Sequence, residues 1–163
     1  MSSHAGESWQ GVRPAVVARL EMVVPINATK ARVWKAVTQE MQKWWLPDFH
    51  MAHPQSKMVV EMTAGGRVYE EGPDGSNLLW FKVAAVRPGE SVHWEGSIMV
   101  PFGGPVVAQA WLRLEEEGGK TTLRFTQCFI GIVDDAMVSS MTQGWTMLLE
   151  QGLRAFVEGE PKG

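Results

Sequence analysis

Several absences narrow the reading first. There is one cysteine, Cys128, in 163 residues. An internal disulfide is therefore excluded, and a reducing compartment, the cytoplasm, is the expected location. No apolar run approaches the ~20 residues of a membrane-spanning helix. The first ten residues are polar and lack an apolar core, so they do not read as a secretory signal. Lys and Arg never occur three in a row, and 15 of them against 18 Asp and Glu leave a formal net charge of −3. That balance speaks against a nucleic-acid partner. Internal repeats and low-complexity linkers are also missing.

What is present is apolar and unusual in kind. The chain is 45% hydrophobic and 20% charged, with ten Met and eight Trp against one Tyr. This composition can bury a sizeable core. Trp supplies large rigid apolar area, and Met supplies area that repacks around guests. Ordinary core packing and an adaptable cavity are both compatible with it.

Along the chain, residues 1–13 read as a flexible arm and 14–159 as a single domain. Residues 15–24 alternate as a strand, with Val16, Ala18, Leu20, Met22 and Val24 on the core side and Pro25 as its end. Asn27 is expected to cap a helix over 28–38, followed by a second helical piece over 39–45 that Pro47 stops. A loop, 46–56, is rich in aromatic and Met side chains. Six further strands are expected at 57–63, 67–71, 77–86, 91–100, 106–116 and 121–130, joined by Gly- and Pro-containing turns. Short turns argue an antiparallel meander, because parallel pairing would need helical crossovers. A helix over 136–158, capped by Asp134 or Asp135, then carries a stripe of Met137, Met141, Trp145, Leu148, Leu149, Gly152 and Phe156.

This order of elements resembles the helix-grip fold of the START-like (SRPBCC) superfamily. Within it the sequence is similar to the AHSA-like branch, named for an activator of the heat-shock chaperone ATPase. The resemblance is carried by Ile26-Asn27-Ala28 with 33–38, by Lys43-Trp44-Trp45-Leu46-Pro47, by 65–70 (Gly-Gly-Arg-Val-Tyr-Glu), by 83–88, and by Gly144-Trp145 with Leu148 and Leu149. It implies an α+β fold: a curved antiparallel sheet of about seven strands wrapped around a long C-terminal helix, with two short helices after the first strand. It also implies an apolar cavity, but no fixed reaction.

The function expected on these grounds is binding of a small hydrophobic or amphipathic ligand between sheet and helix. A cyclase- or hydrolase-like enzyme in the same cavity and a chaperone-regulating interaction module are the alternatives. The candidate ligand-binding residues are Trp44, Trp45, Phe49, Met62, Trp94, Phe125, Gln127, Met141, Trp145 and Leu148. Gln127 stands out, because a buried amide in phase with Leu123 and Phe125 needs a partner. Trp44 and Trp45 are adjacent, so only one of them is expected to point inward. Gly144 and Gly152 provide either close backbone approach or room for a ligand. His50 and His53 with Asp48 form a weak metal pattern, and no metal, cofactor or catalytic residue is assigned. Glu61, Glu70, His93 and Glu95 are expected on solvent-facing strand positions, and Cys128 as a small structural residue. Trp111, out of phase with Ala110 and Leu112, is expected on the outer face, where it would suit a homodimer surface.

Overall fold

The computed structural model describes residues 10–159. The expected arm, 1–13, falls largely outside the described residues. One antiparallel sheet of seven strands is built from β1 (Val16–Ile26), β2 (Lys57–Val60), β3 (Arg67–Glu71), β4 (Asn77–Arg87), β5 (Ser91–Ile98), β6 (Val106–Glu117) and β7 (Lys120–Gly131), in the order β1-β7-β6-β5-β4-β3-β2. The meander thus runs β2 to β7, and β1 closes onto β7 with Leu20 opposite Gln127 and Val24 opposite Leu123. Pairing irregularities in β4, between Val83 and Ala85, bend the sheet. Gly118 and Gly119, both at positive φ, make the tight turn from β6 to β7.

Period-two alternation assigns the faces. Val106, Ala108, Ala110, Leu112 and Leu114 of β6 are buried, as are Leu123, Phe125, Gln127 and Phe129 of β7. Val107, Trp111 and Ile130 face outward. On β1, Leu20, Val24 and Ile26 are buried, while Val16, expected inside, is exposed. Proline does not end this strand. Pro25 lies opposite Thr122 and the strand runs on to Ile26, which an edge strand permits because one side of its backbone needs no ladder bond.

After β1 come α1 (Lys30–Gln39) and α2 (Met41–Trp44). Thr29, not Asn27, caps α1, its side chain accepting from the Arg32 N–H. The Asn27 N–H is instead bonded to the Glu158 carboxylate, 2.6 Å away. At the C-terminus α3 (Asp135–Met147), a π-helical turn (Leu148–Arg154) and α4 (Ala155–Gly159) form one unbroken helical rod. Asp134 caps it by accepting from the Met137 N–H. The wider π turn rotates the apolar stripe. Leu153 and Val157 are consequently buried, while Phe156 is half-buried. No helix among the described residues is long and apolar enough to cross a membrane.

Candidate functional site

The middle of the concave face and the helical rod meet through aromatic rings. Phe81 of β4 stacks on Trp94 of β5 at 5.1 Å between ring centres and on Trp145 of α3 at 5.8 Å. Phe125 of β7 packs on Trp145 at 4.5 Å. All four rings are buried. Period two on the strands and the i, i+4 stripe on the helix bring them to one place. At its edge the Trp145 indole N–H donates to the Gln127 side-chain carbonyl at 2.9 Å, so the buried amide has its partner from the helix. The Trp94 indole nitrogen is buried without a hydrogen-bond partner.

This cluster continues through Trp80, which packs on Phe81, to Trp45 and then Trp44. Trp44 and Trp45 are both buried, contrary to the expectation that one would point out. The chain turns from helical to extended at Trp45 (φ −62°, ψ 123°), and the two indoles are buried against different groups. Trp44 donates its indole N–H to the Ala36 carbonyl, and Trp45 lies edge-on to Trp80.

Of the residues singled out from sequence, Trp94, Phe125, Gln127 and Trp145 come together directly, and Leu148 is buried one turn further along the rod. Phe49, Met62 and Met141 are half-buried and pack against the core from its margin. Met62 lies beyond β2, which ends at Val60 rather than at the expected residue 63. The two helix glycines differ. A Cβ on Gly152 would come within 2.5 Å of the Trp44 carbonyl oxygen, so close approach of the α2 end requires glycine there. A Cβ on Gly144 would meet only the Phe49 ring, at 3.5 Å. In α3 only Trp145 is buried, while Met137, Val138 and Met141 are half-buried.

A second arrangement was not anticipated. Glu70, expected at the surface, is completely buried. Period two alone places it inside, in phase with Val68. Its carboxylate accepts from the Met51 N–H (2.9 Å), the Ala52 N–H (2.9 Å) and the Trp80 indole (2.8 Å). Burial pushes this carboxyl up, but the Ala52 and Met51 amides and the Trp80 indole outweigh it and hold the group below the ordinary glutamate value. His50 Nδ1 is 3.5 Å from the same carboxylate. His53 Nδ1 instead accepts from the Gln55 N–H. No group of three or more His, Cys, Asp or Glu able to hold a metal occurs among the described residues. Glu70 thus straps the 46–56 loop onto the sheet, and that loop carries Phe49 to Gly144.

Among the described residues, one surface groove of about 440 Å³ opens beside Ile26, Thr121 and Glu158 and another of about 360 Å³ beside Ile98, Val107 and Ile130. Neither lies between the sheet and α3, where Phe81, Trp94, Phe125 and Trp145 are in ring contact.

Solved structures share this fold. An uncharacterized protein from Rhizobium leguminosarum is 21% identical with a TM-score of 0.69, over 92% of this chain and 100% of that one. The Aha1 dimer from Colwellia psychrerythraea, solved in solution, is 20% identical with a TM-score of 0.60, over 90% of this chain and 99% of that one. DynU16, from the dynemicin biosynthetic locus, is 20% identical with a TM-score of 0.63, over 88% of this chain and 48% of that one. No curated protein matches the sequence. The family described as Activator of Hsp90 ATPase homolog 1-like protein matches residues 27–158, most of the chain and every element from α1 to the π turn. The expected START-like, AHSA-like helix-grip architecture is the one observed, and the chain belongs to the Activator of Hsp90 ATPase homolog 1-like family.

Proposed function

We propose that this protein binds a small hydrophobic or amphipathic molecule carrying a hydrogen-bond acceptor, between the sheet and α3, in the cytoplasm. The observation that carries this reading is the Trp94 indole N–H, buried among Phe81, Phe125 and Trp145 and bonded to nothing. An unpaired buried donor costs about 1–3 kcal/mol, which an acceptor on a ligand would restore. Apolar lining with a few convergent polar groups is the usual make-up of a small-molecule site. Entry requires α3 to lift, and its first half is suited to that: Met137, Val138 and Met141 hold it by half-buried contacts only. DynU16's place in a biosynthetic locus supports small molecules as the class of ligand.

The enzyme alternative has one acid–base candidate, His50 beside Glu70. The Glu70 oxygens are already engaged by two amides and an indole, which favours a structural role and hence binding over chemistry. The dimeric neighbour supports a homodimer. Trp111, stacked with His93 and Arg113 on the outer face, is its candidate contact.

The test is titration with Prodan, a naphthalene ketone whose emission reports its surroundings. Saturable one-to-one binding is expected, weakened about five- to tenfold by Trp94→Phe, which keeps an aromatic ring and removes the donor. Absence of saturable binding, or equal affinity in the variant, would overturn this reading.

A further inference from the structure

The groove of about 360 Å³ lies on the outer face, beneath the turn that joins β5 to β6. Its walls are Ile98 at the end of β5, Met99 and Val100 of the turn, and Val107 and Ile130 of β6 and β7, and the Ser97 hydroxyl is its one polar side-chain group. Val107 is opposite Ile130, and Ile130 is opposite Val17, so the apolar surface runs across three strands. It is well exposed: Val17 75%, Val100 70%, Ile130 55%, Val107 53%, with Phe102 at 46% on the turn. No charged residue occurs over 96–112 or over 125–133.

We propose that this groove docks the protein on a lipid bilayer, with an acyl chain seated between the turn and β6–β7 and the tip at Val100 and Phe102 entering the hydrocarbon boundary. Two observations favour a bilayer over a second protein chain. No charge occurs along the turn or along the groove-lining parts of β6 and β7, and insertion of charge is the main penalty at that boundary; the exposed Arg19–Glu21 pair flanks Val17 on β1. The exposed apolar area of these few residues is on the order of half the ~800 Å² per partner of a standard stable interface. A cationic surface is missing here, so attachment rests on apolar burial and not on attraction to anionic lipid. The same turn touches the start of α3, where a Cβ on Gly103 would lie 3.5 Å from the Met137 methyl group. Docking would therefore bring the half-buried start of the rod next to a source of amphipathic molecules. The surface proposal does not depend on the pocket reading.

The test is co-flotation with phosphatidylcholine vesicles. Wild type is expected to float with neutral vesicles, with little change between about 50 and 500 mM salt. Val100→Asp combined with Phe102→Asp should weaken binding roughly tenfold or more. Both side chains are exposed, so the fold is expected to survive. Unchanged Prodan binding and circular dichroism without vesicles check this and separate failure of the surface from failure of the pocket. No flotation of wild type, equal flotation of the variant, or binding that needs anionic lipid would overturn the proposal. So would a dimer in sedimentation that the double substitution dissolves, because the groove would then belong to a second copy.

Discussion

The Trp145 indole N–H and the Gln127 carbonyl oxygen, 2.9 Å apart, tie α3 to the middle of β7 inside the core. Gln127→Leu removes the acceptor and leaves that donor buried and unpaired, a loss of about 1–3 kcal/mol. Trp145→Phe removes the donor as well as apolar area. Because the bond is already broken in Gln127→Leu, Trp145→Phe should cost less there than in the wild-type background, with a coupling of about 0.5–3 kcal/mol. Urea unfolding of the four proteins measures this. Strict additivity would show that the bond contributes nothing.

Much of this arrangement was legible in the chain. Turn residues delimited β3 to β7 to within two residues, and alternation grouped Phe125 and Gln127 with Leu123 and Trp94 with Val92, while leaving open which face was the inner one. The errors have local causes. Pro25 reads as a terminator only if the strand is assumed to be interior, and β1 is an edge. Trp44 and Trp45 are both buried because each finds its own cover, Trp44 at the Ala36 carbonyl of α1 and Trp45 against Trp80 of β4, which neighbouring-residue reasoning does not anticipate. Phase is lost after Gly152 because a π turn changes the residue count per turn, hiding Leu153 and Val157. Glu70 could have been found: Val68 marks its face, and only its charge argued otherwise. The three donors that make a buried carboxylate tolerable come from Met51, Ala52 and Trp80, and no spacing in the sequence connects the first two to β3.

That carboxylate makes stability depend on pH in a defined direction. The folded value of Glu70 lies below its ordinary one. Its contribution is therefore fully present above the unfolded value of about 4.3 and is lost as pH falls through the folded value. Glu70→Gln places an amide against donors that need an acceptor, at a cost of about 3 kcal/mol near neutral pH. The variant should also show a flatter fall of stability below about pH 4 than wild type. Urea midpoints across acid pH test both statements. Amide exchange should quicken at Met51 and Ala52 in particular. Unchanged exchange there would show that the loop is held by other means.

The two helix glycines should respond to alanine with opposite signs. At Gly152 the new methyl would meet the Trp44 carbonyl oxygen at 2.5 Å, and neither backbone can yield without moving α2. The overpacking cost, about 1–3 kcal/mol, exceeds the ~1 kcal/mol that alanine gains over glycine within a helix. At Gly144 the nearest atom is the edge of the Phe49 ring, at 3.5 Å, an ordinary contact. Gly144→Ala should therefore raise stability by up to about 1 kcal/mol. Thermal unfolding decides between these signs. Destabilisation at both sites would mean that Gly144 also marks a close approach.

Met141 separates binding from folding most cleanly. It lies one helical turn before Trp145, on the stripe that faces the sheet, yet it is only half-buried and packs from the margin of the core. A larger side chain there has solvent to expand into, so Met141→Trp should change stability by less than about 1 kcal/mol. If a ligand enters where α3 lifts, the same indole would occupy part of its path and weaken Prodan binding about tenfold or more. Trp94→Phe acts on the polar contact and Met141→Trp on the space, so their effects on affinity should add. Loss of affinity in Trp94→Phe alone would place the ligand against β5 without passage beneath α3. Loss in Met141→Trp alone would leave the buried indole N–H without a role in recognition.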